Sequence, residues 1–351
     1  MKGARLFAVV KADGYGHGAV PAAHAALEGG ATGLAVATLE EAAQLRGLVD
    51  AENILVMGGL LPAQARDAAA SGCSIAVSSQ EMAEALGESD GEPVPVHLKV
   101  DTGMGRFGVA PEEALALARL IDGSRGTRLA GTWTHFASAE SDDEMTRRQF
   151  DLFLDTVGRF EVGPGIRHAC NSAGALNHPD FALDAVRCGI SVYGCEWPGT
   201  KPALAVRSVI THLKTVEKGA TVGYGAKWRA SGRTRVATVA IGYEDGVFRA
   251  RANRGHVLVR GRRAPLIGMV SMDAITLDVS DVEGVHVGDA ATLIGRDVDQ
   301  VITAEEVAEW SGTISYEVLT SIGERVERRY SPNTPPSKIP SPRRGEGQGE
   351  G

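Results

Sequence analysis

Lys11 is the residue with the most chemical promise in this chain. It ends an apolar run, Leu6-Phe7-Ala8-Val9-Val10, and leads at once into Ala12-Asp13-Gly14-Tyr15-Gly16-His17-Gly18. A lysine held between apolar walls loses ammonium solvation, its pKa falls, and the neutral amine becomes available for Schiff-base chemistry. For any single lysine the competing reading is a solvated surface charge. Tyr15, four residues on, would lie one turn away if a helix begins here, bringing a phenol to the same pocket. Other polar side chains also stand where apolar runs stop. Lys99 and Asp101 close the run 94–100, His135 follows 129–134, Asn171 and Ser172 follow 166–170, and Arg187 closes 185–187.

These stops belong to a regular pattern. Eight short apolar runs, 6–10, 33–37, 54–57, 74–77, 94–100, 129–134, 166–170 and 185–187, are separated in several places by helical stretches such as 40–48 and 112–121. Strand-helix alternation implies parallel strands with crossover helices, and eight repeats predict a closed (β/α)8 TIM barrel, an α/β fold, over residues 1–195. Chemistry in such barrels gathers at the carboxyl ends of the strands, where the polar residues above stand. From 196 to 330 the texture becomes Thr-, Val- and Gly-rich, with strands expected near 234–241, 256–259 and 274–279, which predicts a mainly β C-terminal domain. The Pro-, Gly- and charge-rich stretch 331–351 predicts a disordered tail.

Loops after strands seven and eight of a barrel frequently hold a phosphate. Ser172 supplies a hydroxyl there, unless it is only a helix N-cap, and Gly189 with Ile190 supplies backbone that can approach closely. An amine of lowered pKa facing a phosphate cradle suggests pyridoxal 5'-phosphate, with Arg187 as a candidate partner for its ring nitrogen.

Composition narrows the class. With 351 residues, 43% hydrophobic content and 44 glycines, the chain can bury a large core. A net charge of -8 and a pI near 5.7 argue against nucleic-acid partners. Four cysteines without C-x-x-C spacing suit a reducing compartment and make a metal site improbable, so none is expected. The five apolar residues before Lys11 are too few for a signal-peptide core or a membrane span, so a cytoplasmic protein without membrane contact is expected.

The stretch 8–18, AVVKADGYGHG, resembles the cofactor-lysine motif of bacterial alanine racemases. The resemblance continues through 97–106 (HLKVDTGMGR), 134–136, 171–174, 187–190, 222–226 (VGYGA), 241–246, 272–273 and 314–317, covering about residues 6–330 in nine ordered blocks. It implies a homodimer with active sites built from both chains, a small amino-acid substrate, and pyridoxal 5'-phosphate bound through Lys11. Racemisation needs proton donors on opposite faces of the substrate carbon. The resemblance gives these roles to Lys11 and to Tyr224 from the other subunit, with His135 and Arg187 as a supporting relay. Arg187 would face the pyridine nitrogen and leave it largely unprotonated. Tyr15, Asn171, Ser172, Gly189, Ile190 and Tyr316 are implied around the cofactor, most of them at its phosphate. Arg106 is implied near the cofactor O3' and the substrate carboxylate, which Met272 and Asp273 would approach from the other subunit. Lys99 resembles a lysine that becomes a carbamate in many relatives; the alternative is a lysine paired with Asp101 or another acid. Tyr243 would stand at the substrate entrance.

The chain departs from the family in three places. It reaches Lys11 without the strand and helix that normally precede it, predicting exposed apolar barrel surface and better behaviour from a chain extended upstream. Glu324 and Glu327 stand where many relatives carry neutral residues or proline, and 331–351 matches nothing in the family. Serine or broad-specificity racemisation would use most of the same residues. Decarboxylation would not need Tyr224, and a non-catalytic pyridoxal phosphate homeostasis protein would generally lack the second domain.

Overall fold

The computed structural model describes residues 3–330; the expected disordered tail, 331–351, lies outside the described residues. Eight parallel strands, β1 (Arg5–Val9), β2 (Gly33–Val36), β3 (Ile54–Val56), β4 (Ser74–Val77), β5 (Val94–Lys99), β6 (Thr127–Trp133), β7 (Ile166–His168) and β8 (Ala185–Cys188), form a closed barrel in chain order. β1 hydrogen-bonds to both β2 and β8, so the barrel closes with Arg5–Val9 as its first strand. Each apolar run of the sequence is one of these strands. Every residue of β2, β3, β4 and β5 is buried, and burial on both faces is why they read as continuous apolar runs rather than alternating ones.

The outer helices show why their segments coil. In Pro111–Gly123 the proline opens the helix, the Glu113 carboxylate accepts the Ala110 N–H at 3.2 Å, and Ala114, Leu117, Ala118 and Ile121 form the buried stripe. The helix expected over 40–48 is shorter, Leu39–Gln44, with Leu45 already outside it as the C-cap.

After the barrel come β9 (Val206–Val216), β10 (Thr221–Val222), β11 (Trp228–Arg229), β12 (Thr234–Val239), β13 (His256–Val259), β14 (Arg262–Ile267), β15 (Ile275–Asp278), β16 (Ala290–Asp297) and β17 (Gln300–Ile302). The main sheet runs β13-β14-β15-β12-β9-β16-β17, antiparallel throughout. β13 also pairs with β16, so six of its strands close on themselves. β10 and β11 form a separate hairpin. Two short helices, Ala304–Ser311 and Ser315–Thr320, end the ordered elements.

The apolar core has two main bodies. One lies between the barrel strands and their helices. The other begins inside the barrel at Phe7, Val9, Ala35 and Leu55, passes through Tyr15, Ile190 and Tyr193, and continues into the β domain at Ile210, Val239 and Leu319. A core shared across the top of the barrel fixes the β domain over the strand ends. All four cysteines are free and buried, and among the described residues no helix is long and apolar enough to cross a membrane.

Deep in the barrel, Trp133 stacks on His168 at 5.7 Å, and His168 meets His97. Gly131 makes room for this group: a Cβ there would lie 2.6 Å from His97 Nδ1 and 2.9 Å from the Ile166 carbonyl. Gly131→Ala is therefore expected to destabilise the fold by about 1–3 kcal/mol through overpacking, seen as a lower Tm in thermal unfolding. An unchanged Tm would mean that the interior is loosely packed.

Candidate active site

The backbone following Lys11 is left-handed. Ala12 (φ 51°, ψ 53°), Asp13 (φ 52°, ψ 49°) and Gly14 (φ 60°, ψ 43°) lead to Tyr15 (φ 52°), in place of the right-handed turn that the spacing of Lys11 and Tyr15 suggests. Left-handed backbone costs roughly 1–2 kcal/mol for each residue with a Cβ, and three of these four have one. The turn is closed by Gly14 N–H to the Val10 carbonyl (2.9 Å), Gly16 N–H to Ala12 (3.0 Å) and Gly18 N–H to Asp13 (2.8 Å). Two carboxylates hold it from outside. Glu41 accepts the Ala12 N–H through Oε1 and the Ala37 N–H through Oε2, both at 2.7 Å, while Asp13 Oδ1 accepts the Ala19 N–H at 2.8 Å.

This turn brings Tyr15 inward, with its ring 4.9 Å from Tyr193 and 6.0 Å from Tyr316. The Tyr15 hydroxyl lies against Gly189, where a Cβ would come within 2.4 Å of it, so glycine is needed there for close approach. Gly189 donates its N–H to Ser172 Oγ at 3.0 Å, and the Ser191 hydroxyl donates to the same oxygen at 3.0 Å. Ser172 is not the helix cap; Asn171 is, its Oδ1 accepting the Gly174 N–H at 2.8 Å. The Ser172 hydroxyl is thus free to join Tyr15, Gly189, Ile190 and Ser191 in one cradle.

Cations gather beside that cradle. Burial, and then the Arg106 charge, hold the Lys11 pKa below its ordinary value, with the Glu41 carboxylate opposing them. Lys99 is pushed down to about 8 by burial, then by Arg187 and Arg106. Its Nζ lies 4.7 Å from the Trp133 ring and 5.3 Å from Phe107, and among the described residues no carboxylate is within ion-pair distance. The pairing of Lys99 with Asp101 allowed by the sequence is not formed, because Asp101 caps its own loop, accepting the N–H groups of Gly103 and Gly105.

Arg187 is buried at the centre. Its Nη1 donates to His168 Nδ1 (2.7 Å) and the His168 carbonyl (3.0 Å). Its Nη2 donates to the carbonyls of Thr134 (2.8 Å) and Ala169 (3.0 Å) and to His135 Nδ1 (3.3 Å). Its remaining donor, Nε, is buried without a partner among the described residues. Burial and the neighbouring cations hold His135 and His168 far below the ordinary imidazole range, and His97 falls to about 3. All three are therefore neutral. An arginine donating to Nδ1 leaves the proton on Nε2, so His168 passes a hydrogen bond to His97 Nδ1 at 2.8 Å and His135 carries its proton on Nε2.

Lys11, Tyr15, Lys99, Arg106, His135, Asn171, Ser172, Arg187, Gly189 and Ile190 thus share the barrel mouth, with Tyr316 beside Tyr15. Tyr224, Met272 and Asp273 lie on the β domain, and the hydrogen bonds and ring contacts of the barrel-mouth group do not include them. Tyr224 is 74% exposed on the turn between β10 and β11, and Met272 is half exposed. Asp273 is held by Arg325 Nη2 at 2.7 Å, and the same guanidinium grips Asp245 at 2.6 Å beside the Tyr243 turn. Glu324 and Glu327 are exposed, and Glu327 pairs with Arg329 at 2.6 Å, so the two acids burden no packed surface. Sequence reasoning missed Glu41, Ser191 and His168; only Ser191, two residues past Gly189, carried a usable signal.

A parallel barrel with a lysine of lowered pKa at the end of its first strand, covered by an antiparallel domain, defines a two-domain barrel enzyme. The alanine racemase N-terminal domain family matches residues 1–196, and the corresponding C-terminal domain family matches 203–330. The alanine racemase of Symbiobacterium thermophilum is 42% identical over 347 residues, covering 95% of this chain and 92% of that protein. The crystal structure of alanine racemase from E. faecalis superposes with a TM-score of 0.87 at 38% identity, covering 93% of this chain and 91% of that one. That from Bacillus anthracis, solved with bound L-Ala-P, gives 0.85 at 37% identity, covering 93% and 88%. The chain belongs to the alanine racemase family and is an isomerase.

Because Arg106 depresses both amines, Arg106→Gln is expected to raise the pKa of Lys11 and of Lys99. The pH dependence of amine acylation, read by peptide mapping, should move to higher pH at both residues. An unchanged or lower midpoint would remove Arg106 from this group.

Proposed function

We propose that the chain interconverts L- and D-alanine with pyridoxal 5'-phosphate, in a homodimer, and so supplies D-alanine for peptidoglycan in the cytoplasm. The observation that carries this reading is the unpartnered, buried Nε–H of Arg187 in the same pocket as the Lys11 amine and the Tyr15–Ser172–Gly189 cradle. These three features fit the ring nitrogen, the aldehyde and the phosphate of one ligand. When bound, that cofactor supplies an electron sink for the carbanion left when the α-proton departs.

The residues do the rest. Lys11 holds the cofactor and exchanges a proton at one face of the alanine Cα, a task helped by an amine that is readily neutral. Tyr224 of the second subunit serves the opposite face. Its phenol needs positive charge nearby to act as a base. His135 is neutral, so that charge comes from Arg187, relayed through the His135 Nε2–H. Arg187 stays charged at neutral pH and donates rather than accepts, so a ring nitrogen facing it remains unprotonated. Ser172, Gly189, Ile190 and Tyr316 bind phosphate, and Asn171 fixes the helix that presents Ser172. Arg106, exposed and without a carboxylate partner among the described residues, would meet the cofactor O3' and the substrate carboxylate, with Met272 and Asp273 completing that end from the second subunit. Lys99, with a pKa of about 8 and no carboxylate within ion-pair distance among the described residues, is suited to carbamylation, which would give Arg106 an anion to pair with. Tyr316, 6.0 Å from Tyr15, would narrow the pocket and so favour alanine over serine.

Lys11→Ala should abolish conversion of L-alanine to D-alanine in a polarimetric assay; residual racemisation would sink the assignment. Tyr224→Phe should retain cofactor and slow racemisation by a factor on the order of a hundred. Solvent-deuterium exchange should then become unequal from the two enantiomers, and equal exchange would contradict two-sided proton transfer. Arg187→Glu should bring a long-wavelength absorbance with alanine and more transamination. A spectrum like the parent's would mean that Arg187 does not face the ring nitrogen.

A further inference from the structure

The left-handed turn that carries Lys11 is gripped by the last described segment of the chain. Arg328 is half-buried and meets no carboxylate among the described residues; its donors all go to carbonyls. Nη1 donates to Gly323 (2.6 Å) and Val326 (2.8 Å), and Nη2 to Ile322 (2.8 Å), winding 322–328 into a fixed coil. The remaining donor, Nε, reaches the Gly16 carbonyl at 3.3 Å, 312 residues away in sequence. Gly16 and Gly18 are fitted to this contact. A Cβ on Gly16 would lie 2.2 Å from the Leu319 carbonyl, and one on Gly18 would lie 2.2 Å from the Tyr330 hydroxyl. Both glycines have positive φ, 79° and 92°, so any other residue would meet strained backbone as well as a wall.

Four successive residues in left-handed backbone persist only if the surroundings over-determine them. Glu41 holds the start of the turn at Ala12. Its far end, Gly16 to Gly18, is held by the β domain through Leu319, Arg328 and Tyr330. We infer that Arg328 is a positioning residue: by clamping the Gly16 carbonyl under the coil 322–330, it fixes the turn that directs the Lys11 amine and sets the Tyr15 hydroxyl against Gly189. The inference rests on the proposed role of Lys11 and Tyr15 in holding the cofactor. It implies that cofactor affinity and amine placement are set by the end of the β domain, in the same chain.

The test compares the full chain with Arg328→Ala, Arg328→Lys and Tyr330→Phe. Hydrogen exchange of the cofactor-free proteins reads the turn directly. In Arg328→Ala, amides of 12–18 should exchange at least tenfold faster, while those of β5 and β6 and the Tm stay as in the parent. The Kd for added pyridoxal 5'-phosphate should rise about tenfold, and kcat should fall with little change in KM for alanine. Arg328→Lys should recover part of each effect and Tyr330→Phe should show a smaller one. Exchange rising uniformly over the chain, or faster exchange at 12–18 with unchanged Kd, would overturn the positioning role. If the parent binds no pyridoxal 5'-phosphate while the exchange effect is present, the cofactor reading fails and the clamp stands as a mechanical feature alone.

Discussion

Burial at the barrel mouth, beside positive charge that cannot leave it, is the constraint from which the rest of the site follows. Arg187 is fixed by five contacts, and a guanidinium does not shed its proton at neutral pH. Arg106 adds a second fixed charge, whereas among the described residues the acids that act on the two lysines are Glu41 and Asp101. Burial first, and these charges second, act on the groups able to yield. Lys11 and Lys99 drop toward neutrality, and His135, His168 and His97 stay unprotonated. Neutral imidazoles have a defined donor and acceptor, so the same burial and repulsion that lower the amine pKa values also fix the direction of each hydrogen bond in the interior. A pocket of this sign suits a ligand carrying a phosphate and a carboxylate.

The second constraint is mechanical. A left-handed turn in Ala12, Asp13 and Tyr15 is unfavourable alone, and it is kept by groups from two domains. The core that runs from Phe7 inside the barrel to Leu319 makes this possible, since the β domain cannot drift while that surface is shared. The interactions that hold the β domain over the barrel also aim Lys11 and Tyr15.

Much of the barrel was readable from the sequence because strands buried on both faces leave unbroken apolar runs, and because polar residues at their ends have no structural reason to recur. Lys11, Ser172, Gly189 and Arg187 stood out on that ground. The left-handed turn did not, because its conformation is imposed by Glu41, which reads as an ordinary acid on an exposed helix, and by Arg328, over three hundred residues away. Asp101 looked like a partner for Lys99 at close sequence distance, but its carboxylate is used by the N–H groups of its own loop. The closure of the β domain depends on β13 meeting β16, a pairing between distant segments that no local pattern announces.

Two lysines of lowered pKa stand in this pocket, and only one of them, Lys11, is proposed to bind the cofactor carbonyl. Borohydride reduction of the purified, cofactor-loaded protein followed by peptide mapping decides the matter. A single pyridoxyl adduct is expected, on the peptide that contains Lys11. An adduct on Lys99 or on any other lysine, or no adduct at all, would contradict it.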